Sequence, residues 1–297
     1  MKPLVRLAYA AALALPLLLS GCSLLPSTRK LPLPKAPAVT QTVTPEQLVA
    51  QLNQRWNALH TLNATVDIQL SVLKAREGVA NDYPTIRGHI LMRKPNLLRV
   101  LGLVPLIGTQ AFDMASDGKN FVLLVPPKGK AFKGPNSRRK KSANKLENIR
   151  PEVFFDAMVV KGLEPEDYYS VTGDTETVED AAKKHLLLTP EYVLSITRHS
   201  PQGHQDTPVR VITFHRDDLL PYQQDVYDGD GDLETQVTYT NYQDFGGSQY
   251  PTAITINRPL DEYQVVLTVE KVVQNMTLPD DQFQVEIPSG TQIENLD

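Results

Sequence analysis

From residue 64 onward this chain is written largely in a period of two. Ala64, Val66, Ile68, Leu70 and Val72 alternate with Thr65, Asp67, Gln69 and Ser71. Successive side chains of an extended strand point to opposite faces, so this stretch buries one face and wets the other. Ile86, Gly88, Ile90 and Met92 repeat the pattern, and Lys94-Pro95-Asn96 turns the chain into residues 97–104. Asp117-Gly118 separates 111–116 from 121–125, a strong hairpin signal. In the second half Tyr192, Leu194 and Ile196 alternate, and 209–214 follows the turn Ser200-Pro201-Gln202-Gly203. Residues 222–227 and 233–241 flank Asp228-Gly229-Asp230-Gly231; Ile254 with Ile256, then Val265, Leu267 and Val269, complete the series. About ten short strands with turn residues between them predict one large antiparallel sheet, curled or closed.

Helices are few. Thr44-Pro45-Glu46-Gln47 combines a capping threonine, a proline suited to the first helical position and the glutamine of a capping box. Leu48, Leu52, Trp56 and Leu59 follow on one stripe. Within 148–162, Pro151 can start a second helix with Val153, Phe154, Ala157 and Met158 on its apolar face. Two or three helices cannot cover both faces of so large a sheet. The expected class is mainly β (α+β): a curved sheet or half-open barrel of about ten to eleven strands lidded by helices.

The N-terminus reads as targeting rather than fold. Lys2 and Arg6 precede an apolar run, residues 7–19, that is short for a membrane span. It ends in Leu19-Ser20-Gly21-Cys22, which resembles the bacterial lipobox. That resemblance implies cleavage of a signal peptide, 1–21, and acylation of Cys22 on its sulfur and its new amino terminus. Several acyl chains, at about 0.8 kcal/mol per buried CH₂, suffice for lasting anchorage. The alternative is an ordinary secretory signal with an incidental thiol. Ser23, where an aspartate would signal inner-membrane retention in the lipoprotein sorting pattern, implies the outer membrane, facing the periplasm. Residues 22–44 hold Pro26, Pro32, Pro34 and Pro37 and read as a semi-rigid tether, with a reach on the order of 70 Å at roughly 3.1 Å per residue. Residues 45–297 form the barrel domain. Cys22 is the only cysteine, so the domain rests on its apolar core.

A net charge of −4 with 41% apolar residues suits a globular domain and argues against nucleic acid as a partner. The stretch 128–145 carries Lys128, Lys130, Lys133, Arg138, Arg139, Lys140, Lys141 and Lys145 without an acid. It reads either as a solvated loop or, through Arg138, Arg139, Lys140 and Lys141, as a contact for anionic headgroups. Residues 228–232 suggest calcium, but the sixth and twelfth loop positions hold Leu233 and Tyr239 instead of glycine and glutamate, so a hairpin turn explains them better. His199 and His215 fall at opposite ends of a strand pair, and no metal site is expected. No nucleophile elbow or phosphate loop occurs, and Asp217-Asp218 and Asp280-Asp281 sit at turn-like positions. No catalytic residue, cofactor or enzymatic activity is expected.

The order helix, strands, helical insertion, strands is similar to the LolA/LolB lipoprotein-carrier superfamily. So are the segments GHILMRKPNLLRV, ASDGKNFVLLVP, VYDGDGDLETQVTYTNY and LPDDQFQVEIPSGTQI. These are motifs of shape, spread over 45–297. The resemblance implies a half-open barrel that holds acyl chains of lipoproteins or lipids in an apolar cavity and delivers them to the outer membrane, with a periplasmic carrier or envelope protein as partner. It also implies a delivery loop in LGLVPLIG, where Leu103, Val104, Leu106 and Ile107 surround Pro105. Such a loop either packs under the barrel or stands out as a membrane-touching tip. The other reading is a structural or assembly lipoprotein with a filled interior. The insertions 128–145 and 163–184 depart from the family pattern.

Overall fold

The computed structural model describes residues 40–74, 78–136, 149–179, 186–199 and 206–296. The chain divides into a large unit, Pro37–Glu176 with Thr189–Asp297, and a small one, Met1–Ala36 with Thr177–Leu188. Of the small unit only the ends of two strands are described. Cys22 and Arg138, Arg139, Lys140 and Lys141 lie outside the described residues.

Helix α1 (Pro45–Ala58) starts as its sequence dictates. Thr44 is extended, its hydroxyl accepts from the Gln47 amide at 3.3 Å, and the Gln47 side chain accepts from the Thr44 amide at 2.8 Å. Leu48, Val49 and Leu52 form its buried stripe. The helix stops at Leu59, which turns extended as the sequence period changes.

Among the described residues, fifteen strands form one sheet. They are β1 (Thr61–Lys74), β2 (Val79–Asp82), β3 (Ile86–Arg93), β4 (Leu97–Leu103), β5 (Gln110–Ser116), β6 (Asn120–Val125), β7 (Lys130–Pro135), β8 (Asp167–Glu179), β9 (Leu186–His199), β10 (Asp206–His215), β11 (Pro221–Tyr227), β12 (Leu233–Asp244), β13 (Gln249–Arg258), β14 (Tyr263–Gln274) and β15 (Gln292–Asn295). The order is β15-β7-β6-β5-β4-β3-β1-β14-β13-β12-β11-β10-β9-β8, with β2 beside β1. Pairing is antiparallel from β7 round to β9, while β15 runs parallel to β7. The sheet is curved and unclosed, with β15 and β8 at its edges. Register shifts at Thr65/Val66, Gly102/Leu103 and Thr213/Phe214 bend it.

This order explains where the second helix lies. Strand β7 ends near one edge of the sheet and β8 begins at the other. The chain between them must cross the sheet, and it carries helix α2 (Pro151–Met158) onto β4, β5 and β13. There Val153, Phe154 and Phe155 join one core with Leu62, Ile90, Met92, Val100, Val237 and Leu267. A second core packs α1 through Leu48, Val49 and Leu52 on Leu194, Ile196, Ile212 and Phe214 of β9 and β10. Gly88 and Gly102, paired across β3 and β4, leave room for their neighbours: a Cβ on Gly88 would stand 2.5 Å from the Ile68 methyl.

The expected ten to eleven strands are fifteen. Four lacked a legible pattern. Strand β2 is exposed throughout. Along β8, Ser170, Thr172, Asp174, Thr175 and Glu176 are all exposed, so its sequence shows no apolar face. The basic stretch is no simple loop: Lys130 and Lys133 lie on β7, which is broken by glycine and proline at its end. Segment 277–296 contributes a short 3-10 turn, Asp280–Phe283, and only the four-residue β15.

Candidate functional site

A partly open cleft of about 770 Å³ lies between α1 and the β12–β13 hairpin. Leu52, Trp56 and Leu59 form the helical wall, Met158, Val159 and Val160 the floor after α2, and Leu220 and Pro221 the corner before β11. Tyr239, Tyr242 and Tyr250 face them from the hairpin. Its volume falls within the range of about 300–1,000 Å³ usual for ligand pockets. Side chains of the main core fill the space beneath the sheet between β1, β3 and β14. Leu62, Ile90, Met92 and Leu267 have no exposed surface. The open space of this cleft lies to the side of that core.

Local backbone chemistry sets the walls. Asn275, in the left-handed region at φ 57°, ties the end of β14 to α1. Its side chain accepts from the His60 amide at 2.7 Å and donates to the Ala58 carbonyl at 2.9 Å. Lys94 donates to the Trp56 carbonyl at 2.6 Å and its ammonium lies 3.9 Å from the Trp56 ring centre, holding the last helical turn. At the lip, Gly246 and Gly247 have φ of 73° and 92°, and the Asp244 carboxylate accepts from the Gly247 amide at 2.8 Å.

The three tyrosines differ in their hydrogen bonds. Tyr250 donates to the Met158 carbonyl at 2.6 Å, and Tyr242 donates to the Pro221 carbonyl. The Tyr239 hydroxyl is fully buried and has no partner. Burial pushes all three phenols up, well beyond the usual range, so each remains a proton donor. Among the described residues, Arg55 is the one charged residue in the lining. It donates to the Leu219 carbonyl at 3.1 Å. Burial lowers its pKa, opposed by Tyr242 and Asp218.

A smaller pocket of about 270 Å³ beside α2 is lined by Glu152, Asp156, Lys161, Arg198 and Arg210. Arg210 donates to the carbonyls of Lys161 and Gly162 at 2.8 Å each. Charged walls of this kind do not suit a hydrocarbon chain.

The loop between β4 and β5 is the other candidate. Leu106 is fully exposed, at 107%, and Ile107 is 73% exposed, whereas Leu103 and Val104 are half-buried. The loop closes on itself: the Gly108 amide donates to Val104 at 2.9 Å and the Val104 amide to Thr109 at 2.8 Å. Leu106 has φ 67°, a conformation costly for a branched side chain, and it points its apolar group into solvent.

Other sequence features take structural roles. Asp228 caps the β11–β12 turn, its carboxylate accepting from the amides of Asp230 and Asp232 at 3.0 and 2.9 Å. His199 and His215 pair with Asp206 and Glu191 at opposite ends of β9–β10. The Asp218 carboxylate accepts from the Leu220 amide at 2.8 Å, and Asp280-Asp281 lie in a 3-10 turn. Arg55 and the tyrosines were not singled out by sequence reasoning. Their one signal is crowding: Tyr239, Tyr242, Phe245 and Tyr250 fall within one hairpin of a chain that is 7% aromatic.

No protein-family model and no curated protein matches the sequence. Solved structures do match its fold. A LolA superfamily protein from Nitrosomonas europaea aligns over 82% of this chain and 99% of its own, with 15% identity and a TM-score of 0.50. A DUF1329 family protein from Desulfovibrio piger aligns over 80% of this chain and 95% of its own, with 14% identity and a TM-score of 0.52. The unclosed sheet with its helices thus has the same fold as that LolA superfamily protein.

Proposed function

We propose that this chain is an envelope lipoprotein, anchored through Cys22 at the outer membrane and facing the periplasm, that shelters acyl chains of lipoproteins or lipids and passes them to the bilayer. The observation that carries this reading is the cleft between α1 and the tyrosine hairpin. It is large enough for a ligand, is partly open, and offers apolar side chains from α1, α2 and the hairpin among polar ones such as Gln51, Gln54 and Gln274. Acyl chains need such a dry, deformable space and few directed bonds. The resemblance to the LolA/LolB carriers points the same way, and the exposed Leu106 gives a tip able to enter a bilayer. The proposal involves no catalytic step.

One observation favours a second reading, an assembly lipoprotein that works through protein contacts. Beneath α2 a core of buried side chains, Val153, Phe154 and Phe155 among them, occupies the interior, as that role allows. Native mass spectrometry of the chain purified from envelope membranes separates the two. Co-purified lipid or lipoprotein, displaced by a synthetic lipopeptide, is the expected result. A chain that carries no lipid and takes up no lipopeptide moves the weight to the assembly role.

A further inference from the structure

The turn between β10 and β11, residues 216–220, grips the chain that leads into α1. The Gln41 amide donates to the Arg216 carbonyl at 2.6 Å, and the Gln41 side chain donates to the Asp217 carbonyl at 2.9 Å. In return the Arg216 guanidinium donates to the Gln41 carbonyl at 3.2 Å and to the Thr42 hydroxyl at 3.0 Å. It also lies 4.8 Å from the Tyr192 ring centre, and the Tyr192 hydroxyl accepts from the Val43 amide at 3.2 Å. Residues 41–43 are thus strapped to β9 and to the end of β10 just before the Thr44 cap. The same turn shapes the cleft. Its Leu219 carbonyl accepts from Arg55, the Leu219 side chain packs with Leu48, Val49 and Leu52 of α1, and Leu220 lines the cleft beside Pro221. Leu219 is 3% exposed and sits at φ 55°, a left-handed conformation that a leucine keeps only where its surroundings hold it. The far end of α1 has other ties, to Asn275 and Lys94. Strap, helix and cleft corner therefore meet at one strained turn.

We propose that this turn is a latch on the cleft: while it grips residues 41–43 and Arg55 it keeps α1 closed on the β10–β11 corner, and when the strap lets go the first half of α1 swings out and admits or releases the ligand. The inference rests on the acyl-binding reading and adds how that site opens. The helix pivots on its last turn, which Asn275 and Lys94 continue to hold. The strap precedes α1 in the chain, so a pull from the N-terminal side reaches Arg216 before it reaches the helix.

The test uses the full anchored chain in phosphatidylethanolamine/phosphatidylglycerol nanodiscs and a lipopeptide with a dansyl group on one acyl chain. Trp56 is the one tryptophan of the sequence and lines the cleft, so energy transfer from it to the dansyl group reports occupancy there. Arg216→Ala should raise the rates of uptake and release about fivefold each and change Kd less than about twofold, the mark of a gate rather than of a ligand contact. Hydrogen exchange should quicken over residues 41–52 and stay unchanged over 53–59. The pair Gln41→Cys and Asp217→Cys, once oxidised, should slow both rates, and dithiothreitol should restore them. This pair carries the test if Arg216→Ala does not fold. Equal rates in the unaltered chain, in Arg216→Ala and in the oxidised pair overturn the latch and leave the cleft an acyl site. A changed Kd with only one rate altered, or a cysteine pair that does not close, overturns the latch as well. Absence of energy transfer in every form overturns the acyl-binding reading and this inference with it.

Discussion

Arg99 and Asp113 meet across β4 and β5 in a two-pronged ion pair, Nε to Oδ1 at 2.9 Å and Nη2 to Oδ2 at 2.7 Å. Asp113 is 2% exposed, and the pair clamps the two strands whose loop carries Leu106. The Asp113 carboxylate holds the Arg99 pKa above its ordinary value. Removing one partner strands the other. Asp113→Ala should cost about 3 kcal/mol in urea denaturation, discounted from the fully buried case because Arg99 keeps some solvent. A loss below about 0.5 kcal/mol would show that the clamp adds nothing to the hairpin.

Leu106 trades backbone comfort for exposure. Leu106→Gly relieves the left-handed conformation and should raise stability by about 1 kcal/mol, read by thermal unfolding. The same change should lower transfer of a fluorescent lipopeptide from the protein to vesicles. Leu106→Asp should lower transfer further without unfolding the domain. Unchanged transfer in both variants would remove the loop from the delivery step.

Tyr239 and Tyr250 should respond to the same substitution with opposite signs. In ligand-free protein, Tyr239→Phe deletes an unmatched buried hydroxyl and should stabilise by about 1 kcal/mol. Tyr250→Phe deletes the bond to Met158 and should destabilise by about 1 kcal/mol. Two losses of equal size in chemical denaturation would mean that Tyr239 has a partner after all.

Asp117 gives the β5–β6 turn an acid dependence. Its carboxylate accepts from the amides of Lys119 and Asn120 at 2.8 and 2.7 Å, and those bonds lower its pKa. A carboxyl depressed by folding contributes stability above its unfolded value and loses it as pH falls through the folded one. Asp117→Asn should therefore flatten the loss of stability below about pH 4 while lowering stability at neutral pH. Urea midpoints measured from neutral to acidic pH check both signs.

Cys22 is tested by its mass and its compartment. The N-terminal peptide of the mature chain should begin at Cys22 and carry acyl groups, and Cys22→Ala should release the chain from sedimenting envelopes. An unmodified N-terminus elsewhere would replace the anchor with a simple secretory signal.

What the sequence revealed was local or periodic. The start of α1 needs only Thr44, Pro45 and Gln47, so it could be read directly. Strand β1 alternates because one face looks into the core throughout, where Ala64 and Ile68 lie beside Ile90 of β3 and Leu267 of β14. Strand β8 escaped because an edge strand with polar side chains on both sides has no period to show. The cleft escaped for another reason: an inward side chain such as Tyr239 looks the same beside a cleft as inside a solid core. Residues 101–108 showed an apolar loop, but which leucine stands out depends on the φ of Leu106, and no residue type announces that.

The pairing of β1 with β14 has a consequence for biogenesis. The seam between the two wings joins parts synthesised at opposite ends of the domain, and the Thr61 hydroxyl donates to the Met276 carbonyl across 215 positions. A chain emerging from its N-terminus can shape each wing as a series of hairpins, since those contacts are local. It cannot stitch the seam until almost its last residues have arrived. Until then β1 presents an unpaired apolar edge to its surroundings. Synthesis of this protein thus creates an interval in which a holding chaperone has something definite to protect, and its length is set by the speed at which the chain emerges.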